Sequence, residues 1–238
     1  MEKTPPNSHD IENDIDEKYK DLQENYYCSE KLLQKVLKEL EYQNRLLSHE
    51  LYHEIAQNIY SILLGIRMAV DSVTDERLKV YLKKIEYSGE ELLQKVKRMS
   101  HDLYPIIMDD IGFVATLIGD IRFLRESGVH VELQINGATK NADSEKEMLF
   151  YRVTQEILYF IIYGLKIDSL KIILSFFDGK DDTFIFSFSD RSKTLNKKFI
   201  KENLMLTCKR LLGYNGEITV QNGGKEFEEW LIEAIIPN

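Results

Sequence analysis

Tryptophan occurs once, cysteine twice, proline four times and glycine 12 times in the 238 residues. The two cysteines, Cys28 and Cys208, lie far apart and in no metal-ligand spacing. This excludes a disulfide framework and suits a reduced, cytoplasmic protein. Long apolar runs are also missing. The longest, Ile157–Leu165, is far shorter than the about 20 residues a bilayer-spanning helix needs. Met1–Asp10 is polar and carries no apolar signal core, so no membrane insertion is expected. Positive charge is in deficit, with 31 Lys and Arg against 40 Asp and Glu and a net charge of −9. Without a basic run, nucleic-acid binding lacks the phosphate-neutralising groups that supply most of its affinity.

What is present is the composition of a folded chain, 43% hydrophobic and 30% charged. Met1–Asp16 is acidic, holds two of the prolines and reads as a disordered tail (1–16). From Glu17 onward Leu33, Leu37, Leu40, Leu47, Leu51, Ile55, Ile62 and Ile66 recur at helical steps. No proline or glycine interrupts 17–64. The pattern predicts one amphipathic helix to about Val73, which at about 1.5 Å per residue is too long to bury its stripe inside one compact domain. Asp71–Asp75 reads as a stop and restart, with Thr74 or Asp75 as N-cap. A second helix through Tyr87, Leu92, Leu93, Val96, Met99 and Leu103 then meets Pro105. Such a hairpin either packs on the rest of the chain or dimerises into a four-helix bundle; the length of the stripe favours a partner.

Beyond Gly128 the period changes from helical to alternating. Val129–Ile135, Ser169–Phe177, Thr183–Ser189, Glu217–Gln221 and Trp230–Ile236 read as strands, with helical stretches at Ser144–Leu165 and Lys197–Leu212. The expected fold class is α+β: a long antiparallel helical hairpin (17–127) forming a dimeric four-helix bundle, followed by an α/β sandwich (128–238).

Two stretches carry a resemblance. Glu50-Leu51-Tyr52-His53-Glu54-Ile55-Ala56-Gln57, continued by Asn58–Gly65, resembles the phosphoacceptor motif E-L-H-D-x-x-x-Q. Leu103-Tyr104-Pro105-Ile106-Ile107-Met108-Asp109-Asp110-Ile111-Gly112 resembles the signature L-R-P-x-x-L-D-D-L-G. Both belong to the cytoplasmic core of bacterial sensor histidine kinases that work with NarL-type response regulators, the NarX, DesK and LiaS kind. The resemblance, over roughly 44–238, implies a dimerisation and phosphoacceptor hairpin, a GHKL-type ATPase-like domain, and a response regulator or a second kinase as partner.

The departures from that pattern fall on the chemistry. In the resemblance Tyr52 stands where the phosphorylated histidine belongs, and His53 where the following acid belongs. Tyr151-Arg152-Val153-Thr154-Gln155-Glu156 resembles the lead-in to the ATP-binding helix, but Phe160 replaces the asparagine that holds magnesium and phosphate. Asp190-Arg191-Ser192-Lys193 stands for a D-x-G-x-G loop and holds no glycine, so close backbone approach to phosphate is lost. A later glycine-rich box is replaced around Glu202–Met205. Glu156 and Asp190 are then vestigial, and neither a cofactor (ATP with magnesium) nor a metal site is expected.

Three roles stay open for His53. It is a surface histidine, or with Gln57 it orients water against a regulator's aspartyl phosphate. Alternatively, in the register H-E-L-R-T-P of the commoner kinase class, it is a phosphoacceptor with Glu54 as acid–base partner. His49 reads as a solvated neighbour and His101 as a cation at a helix C-terminus. The leading expectation is a dimeric, degenerate histidine-kinase-like signalling protein that modulates phosphoryl flow. A phosphotransferase or regulator phosphatase using His53, Glu54 and Gln57 comes next, then a divergent active kinase.

Overall fold

A computed structural model describes residues 8–137, 143–177, 179–190, 195–223 and 229–237. The chain is α+β, and it divides into two compact units, residues 1–42 and 43–238. Helix α1 spans Ser8–His49, so it begins nine residues ahead of the periodicity at Glu17; of the acidic tail, residues 1–7 lie outside the described residues. Within the first unit the helix is laced by one-turn contacts such as Tyr26 Oη donating to Glu30 Oε1 at 2.6 Å.

In the second unit α1 gives way to a π-helical segment, Glu50–Ile55, and then to α2, Ala56–Ser72. Asp75 caps α3, Glu76–Leu103, its carboxylate accepting from the N–H groups of Arg77 and Leu78. The two arms meet along Ala56, Leu63, Leu93 and Val96, with Leu51 and Ile59 packed beside them. Gly89 lets Leu63 seat there, since a Cβ at that position would fall 2.7 Å from Leu63 Cδ2.

This inner face differs from the single stripe the sequence suggests, because the π segment inserts one residue. Its N–H to C=O pairing runs five residues back, as from Ala56 to Leu51. The inward series becomes Leu51, Ala56, Ile59, Leu63, Val70, while Ile55 and Ile62 turn outward; Leu47, ahead of the insertion, is exposed as well. On α3, Leu93 and Val96 face inward, but Tyr87, Leu92 and Met99 are exposed.

Helix α4, Met108–Glu126, was not foreseen in the periodicity. Gly112 breaks its helical path at φ 77°, ψ 171°, and its buried residues Phe113, Leu117, Ile121 and Leu124 pack into the core of the sheet. The change of packing partner thus comes at Tyr104–Pro105, and Ser127–Gly128 is the break between α4 and the first strand.

The sheet has the order β1-β2-β3-β5-β4, formed by β1 His130–Gly137, β2 Ser169–Phe176, β3 Asp182–Ser189, β4 Glu217–Asn222 and β5 Glu229–Ile236. β1 and β2 are parallel, joined through helix α5 (Ser144–Tyr159) and a π turn (Phe160–Gly164); the other pairs are antiparallel. One face buries Leu170, Ile172, Leu174, Phe184, Phe186, Ile232 and Ala234, as alternation requires. At its centre Phe113, Phe150, Phe176 and Phe184 form an aromatic cluster with neighbouring centroids 5.1–6.4 Å apart. The helical stretch read as Lys197–Leu212 is two helices, α6 Lys197–Asn203 and α7 Met205–Leu212, broken at buried Leu204.

Candidate functional site

The first group of predicted residues lies on the π segment and the first turn of α2. Tyr52, His53, Glu54 and Gln57 are all exposed there. A π segment leaves the backbone looser than an α-helix and recurs at functional positions. The His53 ring stacks on His49, with centroids 5.5 Å apart and planes at 19°, and meets the Tyr52 ring edge-on at 5.3 Å. Tyr52 is therefore an exposed neighbour of half-buried His49 and exposed His53 rather than padding inside the hairpin.

One turn before this segment the hairpin is pinned to its continuation. Ser48 and Ser100 are buried against one another, and Ser48 Oγ also reaches the Tyr104 carbonyl at 2.7 Å. Asp109 of the Asp-Asp-x-Gly stretch accepts from Arg45 Nη2 and from Tyr104 Oη, each at 2.8 Å. Arg152 of α5 donates to the carbonyl of Leu103. The second signature thus acts as a structural joint.

The second group lies on α5 and the π turn after it. Glu156 is held from α7: Arg210 Nε donates to Oε1 at 2.8 Å and Thr207 Oγ1 to Oε2 at 2.7 Å. Phe160 stands four residues on. Its ring lies against Gly164, where a Cβ would be 3.2 Å from Phe160 Cδ2, and its centroid is 6.3 Å from that of Phe199 on α6. Asp190 follows β3 at half burial, and Arg191, Ser192 and Lys193 lie outside the described residues.

A third group joins residues that no single motif in the sequence brings together. A cavity of about 470 Å³ opens between α3, α4 and α5, lined by His101, Asp120, Phe123, Tyr151, Gln155 and Tyr159 among others. His101 Nε2 lies 3.3 Å from Asp120 Oδ1. Burial raises the Asp120 carboxyl above its ordinary range, opposed by His101 and by the hydrogen bond with Tyr151. Burial, reinforced by the charge of Asp120, likewise pushes the Tyr151 phenol up. Burial and the charge of Asp102 raise Tyr159. His101 sits in the last turn of α3, as its sequence position suggests, but its partner is a carboxylate 19 residues away.

Comparison with known proteins decides the relationship. The oxygen sensor histidine kinase NreB of Staphylococcus carnosus is 27% identical over 162 residues, covering 68% of this chain and 46% of that protein. The sensor histidine kinase MctS of Rhizobium johnstonii is 30% identical over 134 residues, covering 52% and 28%. The chain is related to the sensor histidine kinases. It spans less than half the length of these curated relatives. No family model matches. A solved blue-light activated histidine kinase of Erythrobacter litoralis (EL346) aligns over 75% of this chain and 59% of its own, at 11% identity and a TM-score of 0.44.

In this histidine-kinase relative the predicted residues fall into two separate sets. Tyr52, His53, Glu54 and Gln57 share the exposed π segment and the start of α2, while Glu156 and Phe160 share α5 and its π turn. The cavity as a group carries no signal in the sequence, although Tyr151 and Gln155 lie in the α5 lead-in, because residues such as Gln94 and Tyr159 are brought to one site only by the packing of three helices. Among the described residues no helix is long and apolar enough to cross a membrane.

Proposed function

We propose that this chain is a degenerate histidine-kinase-like component of a two-component pathway in the cytoplasm. It pairs as a homodimer, docks a response regulator or a partner histidine kinase, and modulates phosphoryl flow without ATP-dependent autophosphorylation.

The observation that carries this reading is Phe160. The resemblance puts an asparagine there to hold magnesium and phosphate, and this chain puts an apolar ring packed against Gly164 and beside Phe199. Magnesium takes hard oxygen ligands, which a phenyl ring does not offer. Glu156, four residues earlier, has both carboxylate oxygens engaged by Arg210 and Thr207. These residues do not suit ATP with magnesium. Tyr52 in the phosphoacceptor place adds a phenol where the relay chemistry uses an imidazole.

Support for pairing comes from the hairpin's second apolar face. Ile62 and Met99 are 63% and 57% exposed, and Ile55 and Leu92 lie open on the same two arms. A bundle of four helices buries such a face.

A second reading rests on the exposure of His53, Glu54 and Gln57. A phosphatase that orients water needs no nucleotide, so regulator dephosphorylation or phosphotransfer through His53 outlives loss of ATP binding. Calorimetric titration with ATP and magnesium tests the main reading: no saturable binding is expected, and micromolar binding overturns it. Incubation with a phosphorylated NarL-type regulator, comparing His53→Ala and Gln57→Ala with the parent chain, separates adaptor from enzyme. Accelerated loss of regulator phosphate that both substitutions abolish makes the chain an enzyme; acceleration that neither affects removes His53 and Gln57 from the chemistry.

A further inference from the structure

His49-Glu50-Leu51-Tyr52-His53 has the H-E-x-x-H spacing, which the kinase resemblance masks by assigning all but His49 to a phosphoacceptor box. We propose that His49 and His53 form a two-histidine site for a divalent transition-metal ion of the zinc, nickel or copper class.

Histidines four residues apart on a helix share a face, and neutral imidazole is the ligand these ions favour over carboxylate-rich or carbonyl sites. The two rings already face one another, with centroids 5.5 Å apart and planes inclined by 19°. An ion bound about 2.0–2.1 Å from one nitrogen of each ring, at a near-tetrahedral angle, sets the two centroids roughly 5 Å apart. The observed separation is close to that value, and side-chain rotation out of the stacked arrangement is what would turn one nitrogen of each ring toward a shared ion. Exposed Glu50 and Glu54 flank the pair and favour a cation locally.

The same spacing serves as the zinc site of metalloproteases, but that reading fails here. Such centres need a third protein ligand, and among the described residues no group of three His, Cys, Asp or Glu side chains is placed to hold an ion. The site is a bidentate one completed by water, and hence of modest affinity. This inference stands apart from the phosphoryl reading. If both hold, an ion on His53 withdraws that imidazole from any regulator.

The test uses the full chain, stripped of metal by chelation and titrated calorimetrically with Ni²⁺ and with Zn²⁺ in a non-coordinating buffer. The expected result is about one ion per chain at micromolar affinity, weakened roughly tenfold or more by His49→Ala and by His53→Ala. It should be unchanged by His130→Ala, at an exposed position on β1. Circular dichroism of each variant checks that the helix is intact. Absence of saturable binding below millimolar metal overturns the site. So does binding that survives either substitution, because a chelate needs both rings.

Discussion

Ser48 and Ser100 are bonded across the hairpin, with their hydroxyl oxygens 2.8 Å apart and Ser100 Oγ donating to the Ser48 carbonyl at 3.0 Å. Both residues are buried, so each hydroxyl must find its partners inside the protein. Ser48 also serves the Tyr104 carbonyl, where α3 ends and the chain turns into Pro105. Ser48→Ala should cost about 1–3 kcal/mol, the penalty of leaving buried polar groups short of a partner. The double variant Ser48→Ala/Ser100→Ala should cost less than the two single losses added together, since they share one network. Urea unfolding of the four proteins measures both effects; strict additivity would show that the hydroxyls act independently.

The proposed pairing places Ile62 and Met99 against a second copy. Ile62→Glu with Met99→Glu should convert a dimer to a monomer in sedimentation equilibrium, because a carboxylate buried without a partner is strongly unfavourable. Both side chains are exposed in the single chain, so the melting behaviour of the isolated fold should change by no more than about 0.5 kcal/mol. A parent chain that is monomeric at the highest concentrations would remove the pairing.

Much of the fold was legible in the sequence because local signals decide it. The alternation in Ser169–Phe177 and Trp230–Ile236 gives strands within one residue of those observed, since burial on one face fixes the period. Asp75 was readable as a cap because its carboxylate bonds N–H groups two and three residues on. The π segment was not legible: its extra residue is a matter of backbone pairing, and it alone turned Ile55 and Ile62 outward. Helix α4 was hidden because Gly112 interrupts its period and because its apolar residues serve the sheet rather than the hairpin. Of the candidate site, the exposure of His53 followed from sequence, whereas the facing of Glu156 with Arg210 and of Phe160 with Phe199 depends on how α6 and α7 return over α5.

Asp120 gives the cavity a signature in pH. Burial raises its carboxyl in the folded chain above its unfolded value, with His101, Tyr151, Asp102 and Arg98 as the groups acting on it. The sign follows from linkage. The stability this group contributes is full below the unfolded value of about 4 and declines as pH rises through the raised folded value. Relative to Asp120→Asn, which titrates nowhere, the parent chain should therefore lose stability as the pH is raised from about 4. Urea midpoints collected for both proteins across that interval test this. Parallel curves would mean that Asp120 is solvated and that the cavity is wet.

Gly112 combines a backbone and a contact constraint, and the two can be separated. Its φ of 77° with ψ of 171° lies in a region that only glycine occupies readily, so Gly112→Ala should destabilise the fold by about 1–3 kcal/mol. A Cβ there would also lie 3.3 Å from Glu147 Oε1, whose carboxyl is raised by burial and accepts the Phe113 N–H. The Glu147 side chain is the flexible member of that contact and is able to yield. The backbone torsion is not, because Phe113 must still enter the aromatic cluster with Phe150 and Phe184. Gly112→Ala measured in a Glu147→Ala background should accordingly cost about as much as in the parent chain. Recovery of most of the lost stability in that background would assign the constraint to the carboxylate and leave the torsion without an energetic role.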